Sequence, residues 1–210
     1  MRIGIDNFGV RVASVWEGLR STTRSLVERA LQSSGAAAAQ QPARGGSRPY
    51  DARADWELSS LLAALDEHSA EAGGSLNAEQ AGALFRMADT TALVLQGQTQ
   101  SAEVFAQLVA RAHRLHDYAR IDRLADALAA RFAPSEVCEL ARSTDVVVRA
   151  LAQEALAQVP TTMLIGLLAD PVDSEIARDA LERQAAEYGS EDARRVMQIL
   201  EQADAAEDDL

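Results

Sequence analysis

Over roughly the last seventy residues, apolar and polar positions alternate so as to pair a short helix with a longer one, twice. Pro134 opens a segment whose apolar positions are Val137, Cys138, Leu140 and Ala141, and Asp145 opens another with Val148, Leu151, Ala155 and Leu156. Pro160 then precedes Met163, Leu164, Leu167 and Leu168, and Asp173 precedes Ile176, Ala177, Ala180 and Leu181. The prolines stand 26 positions apart, while the pairs Asp145/Asp173 and Val148/Ile176 are each 28 apart. Residues three and four apart share a helical face, and a helix pair recurring at this interval signals an α-solenoid. Leu151, Ala155 and Leu156 are expected to face Met163, Leu164, Leu167 and Leu168, so Leu167 is expected in the core.

Along the whole chain, four regions follow from the same pattern. In residues 1–31, Phe8, Val12, Val15, Trp16, Leu19, Leu26, Val27 and Ala30 fall on one side at about 100° per residue. They predict one amphipathic helix starting near Phe8. A small hairpin around Asn7-Phe8-Gly9 is the rival reading, but an isolated hairpin is marginal in water. Residues 32–54 hold four alanines and Arg44-Gly45-Gly46-Ser47-Arg48-Pro49. Such a stretch buries too little apolar surface to offset its ordering entropy, which predicts a flexible linker. Residues 55–204 form the body, with helices marked by Trp56, Leu58, Leu61 and Leu65, then Leu84, Phe85, Met87, Leu93 and Leu95. Asn77 with Gln80 reads as a capping box, Ser101 opens the next helix, Asp117 reads as a further cap, and Pro134 and Pro160 as first-turn prolines. Residues 205–210 form an acidic tail, with fraying expected from Glu201 onward.

Between Pro134 and about Leu200 the chain resembles HEAT-like helical-repeat proteins. The likeness is carried by Leu168-Ala169-Asp170-Pro171 followed by Glu175-Ile176-Ala177-Arg178-Asp179-Ala180-Leu181. The earlier unit lacks the Asp-Pro step, since Leu140-Ala141 is followed by Arg142-Ser143, although Asp145, Val148 and Arg149 fit. The resemblance implies an all-α fold, a short HEAT-like α-solenoid of antiparallel helix pairs with the N-terminal amphipathic helix on its linker. It also implies a protein-binding scaffold, with enzymes of the bilin-lyase or DNA-glycosylase kind as the family's catalytic minority.

Composition supports the helical reading. Alanine, the strongest helix former, supplies a fifth of the 210 residues, and aromatics only 4%. Charge changes the functional picture. Of the net −12, residues 1–55 contribute +3 from 8 Arg and 5 Asp/Glu, and residues 56–210 contribute −15 from 12 Arg and 27 Asp/Glu. An acidic body repels phosphate, which disfavours nucleic acid as a partner and favours a protein with basic patches. The single Cys138 excludes an intrachain disulfide framework and is expected as a small core residue. With no apolar run near the ~20 residues of a membrane span and no signal-peptide pattern, a cytoplasmic location is the expectation.

Candidate chemistry is sparse. His113 and His116, three apart on a predicted helix, are the one pair to weigh as metal ligands, with Asp117 or Asp122 supplying oxygen. Without a third histidine or thiol nearby, they read instead as an exposed helix end where positive charge is favourable. No phosphate loop, paired thiols or serine elbow is present. The expectation is therefore a protein without catalytic, cofactor or metal sites. The N-terminal helix offers the better lead: either it packs on the body, or Phe8, Val12, Trp16, Leu19 and Leu26 dock into a partner groove or a second copy. Its Arg11, Arg20, Arg24 and Arg29 suit a membrane surface less well, because Glu17 and Glu28 dilute them. A homo-oligomeric structural protein is the remaining alternative.

Overall fold

In the computed structural model, which describes residues 5–33 and 50–208, the backbone forms eleven α-helices and two short 3-10 helices, with no strand among the described residues. The chain divides after Val104 into two compact units.

The first unit contains a 3-10 turn at Ile5–Phe8 and helices α1 (Gly9–Gly18), α2 (Ser21–Ser33), α3 (Ala52–Ala72) and α4 (Ala78–Gln98). The single helix expected from Phe8 onward is broken. Leu19 is extended at φ −66 and ψ 142, directly after Gly18, a residue costing about 1 kcal/mol in a helix interior. Arg24 folds back over the break, donating from Nε and Nη2 to the Leu19 carbonyl at 3.1 and 3.0 Å and from Nη2 to that of Glu17 at 3.1 Å. Carbonyls left open at a helix end take such a cation readily. The break lets α1 pack on α3 while α2 packs on α4 and α3.

Phe8, Val12, Leu19 and Val27 are thereby buried, together with Leu58, Leu61, Leu62 and Leu65 of α3 and Leu84, Met87 and Leu95 of α4. Most of the expected linker, 34–49, lies outside the described residues, and its end is already helical from Ala52. Trp56, Phe85 and Leu93, among the apolar positions that mark these helices in the sequence, are exposed, Trp56 by 68%. The reason is register: Leu58, Leu61, Leu62 and Leu65 define the buried stripe of α3, and Trp56 stands about 200° round the helix from Leu58. Between α3 and α4, Asn77 accepts from the Gln80 amide at 2.9 Å, and the Gln80 side chain accepts from the Asn77 amide at 3.1 Å. The expected capping box is present.

The second unit holds most of α5 (Ala102–Arg114), then α6 (Tyr118–Arg131), α7 (Pro134–Ala141), α8 (Val146–Gln158), α9 (Thr161–Leu167), α10 (Ser174–Ala186) and α11 (Glu191–Asp208). Helix α8 packs on α7, α6 and α10; α10 packs also on α9 and α11; and α9 touches α7 and α11. The core includes Phe105, Leu108, Leu124, Leu128, Leu156, Leu164 and Leu181. Phe105 meets Phe132 edge-on, with ring centroids 5.3 Å apart.

Pro134 stands at the first helical position of α7, whereas Pro160 is one residue earlier in its helix, serving as the N-cap residue of α9. The expected packing of α9 on α8 is also revised, since α9 lies mainly on α10. Its seven residues make two turns, enough to bury Leu164 fully but leaving Leu167 half-buried and Met163 exposed. Helix α11 runs past Glu201 to Asp208. Arg178 of α10 holds it there, donating to Asp204 at 2.6 and 3.3 Å.

Candidate functional site

The five candidate docking residues do not form one exposed stripe. Phe8, Val12 and Leu19 are buried at 3%, 1% and 3% exposure, inside the first unit, while Trp16 and Leu26 are half-buried. Of the two readings of the N-terminal helix, packing on the following helices is the one this geometry contains.

A charged clasp completes that packing. Glu57 of α3 is nearly buried, and its carboxylate accepts from the Thr23 hydroxyl at 2.5 Å, from Arg20 Nε at 2.9 Å and from Arg53 Nε at 3.2 Å. The Arg20 backbone amide, at the start of α2, adds a contact of 3.4 Å. A carboxylate is favourable there, at the positive end of a helix. Burial pushes the Glu57 carboxyl up, but the hydrogen bonds from Thr23 and Arg20 outweigh it and hold the group below its ordinary value. Arg20 also binds Asp51 at 2.9 Å. The Ala54 backbone N–H, followed by Arg20, holds the Asp51 carboxyl low as well. Nearby, buried Asp55 accepts from the Tyr50 hydroxyl at 3.0 Å and from Gln98 Nε2 at 3.1 Å, tying the end of α4 to the start of α3. These carboxylates are engaged by donors from their own unit, so the cluster acts as a fastening.

His113 and His116 do not share a helical face. Helix α5 ends at Arg114, and His116 lies beyond it at φ 55, edge-on to Tyr118 with centroids 6.3 Å apart. Both imidazoles are exposed, and no group of three potential metal ligands occurs among the described residues. Cys138 is fully buried, and that burial, aided by the Asp173 charge, raises its thiol to about 11. Such a thiol is a core side chain at neutral pH, with almost no thiolate for chemistry.

Among the described residues, each unit has a concavity to weigh. In the first unit a pocket of about 210 Å³ lies between the start of α1 and the end of α3. Gly9, at φ +85, closes over the His68 ring, where a Cβ would stand 3.3 Å from two ring atoms. Glu67 and Arg11, which pair with each other, line it. In the second unit a groove of about 220 Å³ lies between α6 and α8. Ala125, Leu151 and Ala155 supply its apolar surface, and Asp126, Glu154 and Gln158 its polar edge. The Glu154 carboxylate accepts from the Tyr188 hydroxyl at 2.6 Å and from Gln158 Nε2 at 3.4 Å. The bond from Tyr188, above all, holds the Glu154 carboxyl below its ordinary value.

Sequence reasoning passed over both the clasp and the groove. Glu57 had a readable signal: it occupies a stripe position with Ala54, Leu58 and Leu61, so a carboxylate stands where the helical period requires burial. The groove had a fainter one, since Leu151, Glu154, Ala155 and Gln158 line a single face of α8. Its opposite wall, on α6, emerges only from tertiary packing. Set beside protein-family models, curated proteins and solved structures, this chain matches none of them.

Proposed function

We propose that this chain is a non-catalytic protein-interaction scaffold, and that its second unit is a short α-solenoid presenting an acidic surface to a partner with basic patches. The observation that carries the reading is the packing order of the second unit. Helices α6, α8 and α10 touch in succession, α7, α9 and α11 touch in succession, and α7–α8 and α9–α10 pair across. Two such rows are what stacked helix pairs produce. Charge supports the second half of the reading. Residues 105–210 contain 20 Asp/Glu and 11 Arg, a net −9, so an approaching cationic surface is attracted.

In this reading a docking role for Phe8, Val12, Trp16, Leu19 and Leu26, on a partner or on a second copy, requires α1 and α2 to part from α3 and α4. Trp16 and Leu26, half-buried, are the members that still reach the surface. A reducing cytoplasmic setting suits the single buried Cys138. In the described residues no helix is long and apolar enough to cross a membrane.

Affinity capture with the full chain tests the proposal, comparing wild type with a Glu175→Lys/Asp179→Lys/Glu182→Lys variant on α10. The expected result is a retained protein whose binding weakens as salt shortens the Debye length from about 10 Å at 0.1 M and is lost in the variant. Retention indifferent to both salt and charge reversal would refute the acidic surface, and no retained protein at all would refute the scaffold.

A further inference from the structure

We propose that the groove between α6 and α8 receives a single lysine or arginine side chain, presented by a basic segment of a protein partner. The inference rests on the scaffold reading and names the chemistry of its contact. Size is the first argument. At about 220 Å³ the groove is smaller than the ~300–1,000 Å³ of typical small-molecule and cofactor sites, which suits one long side chain. Lining is the second. Ala125, Leu151 and Ala155 offer apolar side chains against which an aliphatic stem can lie, and Asp126 and Glu154 line the same groove and can meet a charged head. Lysine and arginine have this division along their length, an apolar stem with a cationic tip.

The state of the carboxylates is the third argument. Both donors to Glu154, Tyr188 and Gln158, act on Oε1. Among the described residues, Oε2 has only a distant cation, Arg183 Nη2 at 3.9 Å, and Arg183 is more closely engaged by Glu187 at 3.0 Å. Glu154 is thus oriented by its own chain yet keeps an acceptor oxygen for an incoming donor, and Asp126 is exposed beside it. An anionic side chain would be repelled by these carboxylates, and a wholly apolar one would desolvate them with no new partner in return. A cationic head meets both.

The experiment uses the full chain with Ala and Leu methyl groups labelled for NMR. It is titrated with a Gly/Ser decapeptide carrying three spaced lysines and with the same peptide carrying norleucine, which keeps most of the stem and loses the charge. The lysine peptide is expected to shift the Ala125, Leu151 and Ala155 methyls saturably, and the norleucine peptide to leave them in place. Asp126→Asn/Glu154→Gln is expected to raise Kd about tenfold, the sum of two partly exposed charge contacts. Ala125→Leu, which keeps the charges and fills the groove, should abolish the methyl shifts. Shifts confined to other parts of the second unit, or equal Kd values for wild type and both variants, overturn the groove while leaving an acidic scaffold standing. Absence of any shift overturns the groove too, and the capture experiment then decides separately whether the scaffold survives.

Discussion

Asp145 and Asp173 each stand immediately before a helix of the second unit, α8 and α10 respectively, and they do different work. Asp145 has an extended backbone, φ −71 and ψ 121, and its Oδ1 accepts from the amides of Val147 and Val148 at 2.8 and 3.2 Å. It is a local cap. Asp173 sits at φ −103 and ψ −11, makes no capping bond, and is 5% exposed. It accepts from Arg142 Nη1 at 2.6 Å, linking the end of α7 to the start of α10.

The preceding turns account for the difference. Before α10, Asp170 accepts from the Val172 amide at 2.8 Å across Pro171, in a tight turn that delivers Asp173 in a helical conformation. Before α8 the chain passes through Ser143 and Thr144 and arrives extended. The first unit also holds a local cap, Asn77, and a fastening, Glu57, but the latter acts from the interior of α3, between residues more than thirty positions apart. A polar residue at a helix start therefore has two uses, and the backbone angle with which the chain arrives selects between them.

The largest loss is expected in the core of the second unit. Leu164→Ala should cost about 3 kcal/mol in chemical denaturation, and Leu167→Ala, half-buried, clearly less; equal losses would show that the register of α9 is misread. Next come the two fastenings. Glu57→Ala should cost about 2–3 kcal/mol, below the ~3–5 kcal/mol of a fully buried broken pair because Arg20 is partly exposed. Asp173→Ala should cost about 2 kcal/mol for the same reason, since Arg142 is 39% exposed.

The caps come last. Asp145→Ala and Asn77→Ala should each cost about 1 kcal/mol, and Asp145→Asn almost nothing, because asparagine caps as well. Asp173→Asn should not be so benign, since it removes the charge that Arg142 meets. A double-mutant cycle with Arg142→Ala measures that directly, and additive losses for Arg142 and Asp173 would erase the distinction between cap and fastening.

Acid sharpens the contrast in the first unit. The folded Glu57 carboxyl titrates below its ordinary value, so on acidification the unfolded chain takes up the proton first. The stabilisation is complete above the usual carboxylate range, about pH 4.3, and is lost as pH falls through the folded value. The stability difference between wild type and Glu57→Gln should therefore shrink from pH 6 to pH 3. A difference that stays constant across that range would mean the Glu57 charge contributes nothing.

By itself the sequence determined the helical class, the apolar stripe of α3 through Leu58, Leu61 and Leu65, and the caps at Asn77 and Asp117. All of these depend on neighbours within four residues, where the helical period and open backbone amides leave few alternatives. Tertiary structure alone decided that Phe8, Val12 and Leu19 are core, that Trp56 is not, that Asp173 binds Arg142, and that α6 faces Leu151. An amphipathic stripe states only that a face must be covered. Which element covers it depends on contacts between residues far apart in the chain, and periodicity carries no information about those.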